Sequence, residues 1–214
     1  RGGATDGLGG GIYMEMGRPT IQRNRITGNS AVRGGGIAGN YARPNLWNNF
    51  IYGNSAAGYG GGVYLAGGGG YIWHDTFYSN TASLGGGVYL ATASPQIYNT
   101  IVVGNSAAGG GGGIYVSGGI PVLDYNDVWS NIGGDYSGVV SGAHSISSDP
   151  LFVGAAAGDL HLRADSPCIN VGVATTLRED FDDREQRPMG SAPDIGADEF
   201  LQPWVTLRPD RVGM

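Results

Sequence analysis

Lysine is missing from this 214-residue chain: all twelve basic residues are arginine, set against eighteen acidic ones for a net charge of −6. A nucleic-acid partner is therefore not expected, because neutralising a phosphate backbone takes a sizeable basic surface. The single cysteine, Cys168, excludes an internal disulfide framework. No apolar run approaches the roughly 20 residues that would cross a bilayer as a helix, and no 3.6-residue apolar period lasts long enough for a core helix. Only three histidines are present, and no Arg lies between positions 44 and 162, so the middle of the chain is short of basic groups for catalysis.

Glycine, by contrast, is in excess, with 42 residues. That fraction would suit a flexible segment, but 41% hydrophobic content with 12 Tyr, 4 Trp and 5 Phe is enough to build a core. The glycines are also ordered in sequence. Triplets start at Gly9, Gly34, Gly60, Gly85 and Gly111, and a second marker keeps step with them at Asn29, Asn54, Asn80, Asn105 and Asn131. Both series are spaced 25, 26, 25 and 26 residues apart, which identifies a repeat.

With the first glycine of each triplet as position 1, position 4 is Ile12, Ile37, Val63, Val88 and Ile114, position 13 is Ile21, Leu46, Ile72, Ile97 and Leu123, and position 18 is Ile26, Ile51, Phe77, Val102 and Val128. Positions 4 and 6 are apolar around an outward position 5, the period of a strand buried on one face. Pro19, Pro44, Pro95 and Pro121 share position 11, ahead of the second strand. The pattern predicts an all-β parallel β-helix, a solenoid with three strands per coil and a rise of about 4.8 Å per coil. The position-21 asparagines then form a structural ladder at one bend.

The units GGGIYMEMGRPTIQRNRITGNSA and GGGVYLATASPQIYNTIVVGNSA resemble the coils of bacterial right-handed parallel β-helix repeat proteins, including the polymorphic outer-membrane-protein type. SSDPLFVGAAAGDLHLRADSPCINVG with DFDDREQRPMGSAPDIGADEF is similar to the C-terminal region of extracellular β-helix proteins carrying a choice-of-anchor module. The resemblance implies secretion and an extracellular or cell-surface location. It leaves activity open, since the family holds pectate-lyase-like enzymes, adhesins and surface proteins alike. The expected organisation is five coils over 1–135 with a truncated first coil, irregular final coils and a cap over 136–200, and a tail or linker over 201–214. The start at Arg1, with neither Met nor a signal-like segment, reads as a fragment or processed product of a longer protein.

The catalytic candidates are Asp124, Asp127 and His74. Asp124 and Asp127 flank one bend, but a glycosidase needs two carboxylates facing each other at roughly 5 to 9.5 Å, and solvated surface acids are the simpler reading. His74 stands next to Asp75, and a plain bend histidine is again simpler. Asp180, Asp182 and Asp183 could hold calcium, although their spacing does not match an EF-hand loop; no other cofactor is indicated. The outward positions are aromatic: Tyr13, Tyr64, Tyr89 and Tyr115 at position 5, interrupted by Ala38; Trp47, Trp73 and Tyr98 at position 14; Tyr52, Tyr78 and Trp129 at position 19. Such stripes can stabilise neighbouring strands, meet a protein partner or receive sugar rings. Phe50, Ile101 and Val103 add an apolar outer face for either the C-terminal tail or a neighbouring chain.

Charge is polarised, with Arg18, Arg23, Arg25, Arg33 and Arg43 near the start and Asp180, Asp182, Asp183, Glu185, Asp194, Asp198 and Glu199 near the end. That distribution suits head-to-tail contact between copies. The expected function is thus a secreted structural or adhesive β-helix, with filament assembly through copies of itself or contact with other cell-surface proteins. The alternative is a polysaccharide-binding protein, or a polysaccharide lyase or glycoside hydrolase.

Overall fold

The computed structural model describes residues 7–182 and 187–201. Strands stack in parallel into four long sheets, one per side of the coil. The first contains Ile12–Glu15, Ile37–Asn40, Val63–Ala66, Val88–Ala91 and Ile114–Val116, and ends on Tyr136–Ser137. The second is Thr20–Gln22, Asn45–Trp47, Tyr71–Trp73, Gln96–Tyr98 and Val122–Asp124; the third is Arg25–Thr27, Phe50–Tyr52, Thr76–Tyr78, Ile101–Val103 and Asp127–Trp129. Equivalent residues pair coil on coil, as in Ile12 with Ile37, Ile37 with Val63, Val63 with Val88 and Val88 with Ile114. These inward rows make one continuous core from Met14 to Val128.

The coil has four strands, not the three expected. Ser30–Arg33, Ser55–Tyr59, Thr81–Ala82 and Ser106–Ala107 form the additional sheet. Its inward position is alanine at 31, 56, 82 and 107, because the corner is too narrow for a larger side chain, and so no branched apolar alternation marks it in the sequence. The glycine triplet closes each coil beside this sheet. Gly85 has φ +65, and a Cβ on Gly86 would lie 2.5 Å from the Gly112 carbonyl oxygen of the next coil and 2.6 Å from that of Ser106. Only a residue without a side chain fits there.

Two further bends use one left-handed residue each. Asn48, His74, Asn99 and Tyr125 have φ between 51 and 54 at the bend after the second strand, and the next residue turns its side chain inward. At the bend after the third strand, the ladder runs from Asn29 through Asn54, Asn80 and Asn105 to Asn131, each amide nitrogen donating to the next amide oxygen at 2.9–3.0 Å. Asn131 ends it on Asp135 at 2.8 Å. From Asn54 to Asn131 each Oδ1 also accepts the backbone N–H of the preceding rung, as Asn80 does from Asn54, and Asn80 Nδ2 also reaches the Ile51 carbonyl. The buried amides are thereby satisfied, which is the condition for placing them inside.

Residues beyond the coils behave differently from the expected polar cap. Tyr136 and Val139 close the end of the core. The acidic tail instead forms a strap that runs along the flank of the solenoid. It leaves from the fifth coil, where Ile146 bridges to Asp127. The antiparallel pair Phe152–Gly154 and Asp159–Leu162, joined by a 3₁₀ turn at Ala155–Ala157, carries it to the first coil, where Arg25 donates to the Gly158 carbonyl at 3.1 Å. A second pass starts again at the fifth coil, with Cys168 on Asp127, and descends through Val173 on Asn99 and Thr175 on His74 to Glu179 on Asn48 and Arg23. The strap buries the outer face of the third sheet: Phe50 packs with Leu160, Phe181 and Ala197, and Ile101 and Val103 pack with Leu162, Cys168 and Ile195. Each such large side chain contributes about 1.5–3 kcal/mol on burial. The apolar face read from Phe50, Ile101 and Val103 is thus filled by the chain's own tail. Among the described residues no helix is long and apolar enough to cross a membrane. Position 183 and the tail beyond 201 lie outside the described residues.

Candidate functional site

The outer side of the second sheet, partly exposed at Trp47, Trp73 and Tyr98, collects side chains with binding chemistry. Position 14 stacks Trp47 on Trp73 and Trp73 on Tyr98, each pair 6.5 Å between centroids, at interplanar angles of 20° and 8°. Tyr71, at the neighbouring outward position, leans on Trp73 at 4.4 Å. This regularity follows from the register, which pairs Trp47 with Trp73 and Trp73 with Tyr98. Beside the stripe is a depression of about 370 Å³ lined by Arg18, Arg43, Asn45, Tyr71, Ser94 and Gln96. A flat aromatic strip beside guanidinium, amide and hydroxyl groups can hold a ring by its face and an acidic or hydroxyl substituent by its edge.

The stripe ends at Asp124, the register partner of Tyr98. His144 donates its backbone N–H to Asp124 Oδ1 and sets Nδ1 2.8 Å from Oδ2, while the Tyr125 ring stacks on the imidazole at 4.6 Å. Burial would raise the Asp124 pKa, but the hydrogen bonds from His144 and from the Tyr125 N–H outweigh it and hold the carboxyl below its ordinary value. The partnership was missed in sequence because 20 residues separate the two and the connecting loop follows no repeat. Carboxylate on Nδ1 leaves Nε2 as the ring's outer nitrogen, the arrangement of an oriented acid–base imidazole.

The other candidates lie elsewhere. Asp127 is not a solvated surface acid: it is buried under the strap, where it accepts from the Ser148 N–H and the Cys168 thiol. Burial pushes its pKa up to about 6 against those hydrogen bonds, and the thiol is itself raised, first by burial and then by Asp127. Asp124 and Asp127 therefore do not face each other across a cleft. His74 is likewise buried, in contact with Asn99 and Thr175. Burial, with Arg187 adding repulsion, holds its imidazole well below the ordinary value. Asp75 enters the second, inward ladder and accepts from both the backbone and side-chain N–H of Asn49 at 2.8 Å. Its Oδ2 has no partner, and burial pushes the pKa up to about 8.

The aromatic stripes divide. On the first sheet, Tyr64 and Tyr89 are only 9% and 7% exposed, packed with Tyr59 and Leu84. Tyr52, Tyr78 and Trp129 are half-covered by the strap, and Tyr78 meets Phe152 edge-on.

The strap's acidic residues also turn inward. Arg187 is fully buried and binds Glu199 at 2.8 Å, together with the carbonyls of Asp194, Gly196 and Ala197. Asp194 accepts from the N–H groups of Asn170 and Phe200, and Asp198 from that of Leu162. Burial raises Asp194 to about 7, with Glu199 adding to the rise, and raises Asp198 to about 6. Asp180 contributes to the charge around Arg187, whereas Asp182 approaches His161 Nε2 at 3.4 Å. Among the described residues no three acidic, His or Cys side chains converge on a metal position. Glu179 pairs with Arg23 at 2.8 Å, so one contact between the basic start and the acidic end of the sequence is made within the chain.

Comparison with known proteins agrees with this geometry. No curated protein and no solved structure matches the chain. Residues 5–148, from just ahead of the first coil to the irregular turn after the fifth, match the family model described as a right-handed β-helix region. The chain belongs to the right-handed β-helix family.

Proposed function

We propose that this chain is a secreted or cell-surface adhesive β-helix whose contact surface is the outer side of the second sheet, and that the surface takes acidic glycan. The observation that carries the reading is the partly exposed stack Trp47, Trp73 and Tyr98 beside Arg18 and Arg43. Sugar rings repeat along a polymer as the aromatic rungs repeat along the solenoid, and guanidinium groups suit the carboxylates of uronic acids. The extracellular placement rests on the resemblance of the repeats. Titrating tryptophan emission with oligouronates and with neutral oligosaccharides tests the reading: saturable quenching by the acidic set, weakened about tenfold in Trp73→Ala, is expected, a loss of about 1.4 kcal/mol. Silence across acidic glycans would remove it.

One observation favours an enzymatic alternative, a polysaccharide lyase or hydrolase: the Asp124–His144 pair at the end of the stripe. Release of unsaturated or reducing ends from a bound oligouronate, lost in His144→Gln, is the expected result for that reading.

A further inference from the structure

At the corner between the first and second sheets, position 10 is Arg18, Arg43, Ser94 and Ile120 and position 11 is proline in coils one, two, four and five. Coil three has Gly69 and Gly70 there, the end of its four-glycine run, and so brings no side chain to the corner. The hollow of about 370 Å³ beside the stripe lies at this break, with Arg18 and Arg43 from the two coils before it and Ser94 and Gln96 from the coil after it. Arg18, Arg43 and Ser94 are exposed and Gly70 and Gln96 are half-buried, so the space is open to solvent.

The charge at this hollow is unmatched. Of the five arginines in the first two coils, Arg23 pairs with Glu179, Arg25 donates to the Gly158 carbonyl and Arg33 lies against the Tyr64 ring. The Arg18 and Arg43 guanidiniums have no ion-pair or hydrogen-bond partner among the described residues. They hold the same position in adjacent coils, about 4.8 Å apart along the stack, and like charges so placed repel until an anion joins them. No Asp, Glu or His lines the hollow. Ser94 Oγ accepts the Ile120 N–H at 2.9 Å and keeps its own hydrogen to donate. A single carboxylate balances one of the two guanidiniums, whereas a phosphate monoester carries about −1.5 to −2 at pH 7 and offers three acceptor oxygens. The volume also leaves room for the group that bears the phosphate. Tyr71, 37% exposed and leaning on Trp73 at 4.4 Å, supplies a ring face between the hollow and the stripe.

We propose that the hollow at Gly69 and Gly70 is a subsite for a phosphate monoester borne by a sugar of the bound glycan, with Arg18 and Arg43 closing on the phosphate and Tyr71 taking the ring. The assignment rests on the glycan reading of the second sheet and specifies the anionic group that surface selects.

Ligand-observed NMR with glucose-6-phosphate tests the subsite, with glucuronate, glucose-6-sulfate and inorganic phosphate as the comparison probes. Saturable binding of glucose-6-phosphate with a Kd of order 1 mM is expected at about pH 7.5, at least about tenfold tighter than any of the three. Arg18→Gln and Arg43→Gln are each expected to weaken it about tenfold at an unchanged melting temperature. Lowering the pH to about 5 returns the second proton to the phosphate, whose pKa is about 6, and should weaken glucose-6-phosphate while leaving glucose-6-sulfate unchanged. A phosphorylated tetrasaccharide should bind more tightly than the monosaccharide, since its further rings reach Trp73 and Trp47. No saturable binding up to about 10 mM, equal affinity for glucuronate, or indifference to both substitutions would overturn the proposal. Inorganic phosphate binding as tightly as glucose-6-phosphate would remove the sugar from it, and equal affinity for the tetrasaccharide would remove the glycan. Oligouronate quenching that persists when the phosphate arm fails leaves the glycan surface standing without this subsite, whereas silence in every arm removes both.

Discussion

Replacing Asp75 by Asn is expected to stabilise the protein, increasingly so as pH rises. In the inward ladder, Asn49 and Asn126 each give an amide hydrogen to a carbonyl of the preceding coil, Ile21 and Ile97 respectively, and the Thr100 hydroxyl does the same to Ile72. Asp75 has no such hydrogen when ionised, and its Oδ2 is buried without a partner. Folding therefore selects the protonated acid and shifts its pKa from 3.8 to about 8. Since the folded value lies above the unfolded one, the stabilisation is complete below about pH 4 and is lost as pH rises to about 8. At about 1.36 kcal/mol per unit, the three units between pH 5 and 8 amount to about 4 kcal/mol. Asp127, Asp194 and Asp198 tilt the wild-type curve the same way, but they are common to both proteins and cancel in the difference. With a urea slope of about 2 kcal/mol per molar, the midpoint of Asp75→Asn should move from near the wild-type value at pH 5 to about 2 M above it at pH 9. A gap that stays constant with pH, or an Asn variant less stable throughout, would refute the reasoning.

Three further perturbations probe the same frame. His74→Asn introduces the residue found at the equivalent bends, Asn48 and Asn99. Because the folded imidazole has a lowered pKa, wild-type stability should fall as pH drops below about 6.5, and urea midpoints at pH 5 and 7 should show that loss disappearing in the variant. Gly86→Ala drives a Cβ into two backbone carbonyls and should cost about 3 kcal/mol or more, whereas Gly154→Ala, with φ −159 and its nearest neighbour at 3.4 Å, should stay within about 1 kcal/mol by thermal melt. Arg187→Met leaves the Glu199 carboxylate buried without its partner, at a cost of about 3–5 kcal/mol. It should expose the strap to limited proteolysis before the coils are cut.

The repeat was legible because its constraints act on single residue types. Gly86 tolerates no Cβ, the ladder needs an amide that both donates and accepts at Asn80, and the core rows need Ile72 or Phe77. The fourth sheet was hidden because its inward rung is only alanine. The strap was hidden because its contacts are aperiodic: nothing local announces that Cys168 meets Asp127 or that Gly196 bonds Asn99. For the same reason the acids of the DIGADE segment read as a polar terminus although they accept buried N–H groups. Of the candidate site, the stripe Trp47, Trp73 and Tyr98 was visible from spacing alone; that the strap half-covers Tyr52, Tyr78 and Trp129, and that His144 joins Asp124, depended on that aperiodic part of the chain.

A stack of coils joined only to its neighbours has no inherent length: coils can be gained, lost or frayed at an end with local effect. The strap changes that. It is fastened at the fifth coil on Asp127 and at the first on Arg23 and Arg25, four rises or about 19 Å apart. An inserted coil would displace one fastening by about 4.8 Å, beyond the reach of its hydrogen bonds. The tail thus works as a gauge for coil number, so duplication or deletion of a 25-residue unit has to be matched by a compensating change in the strap.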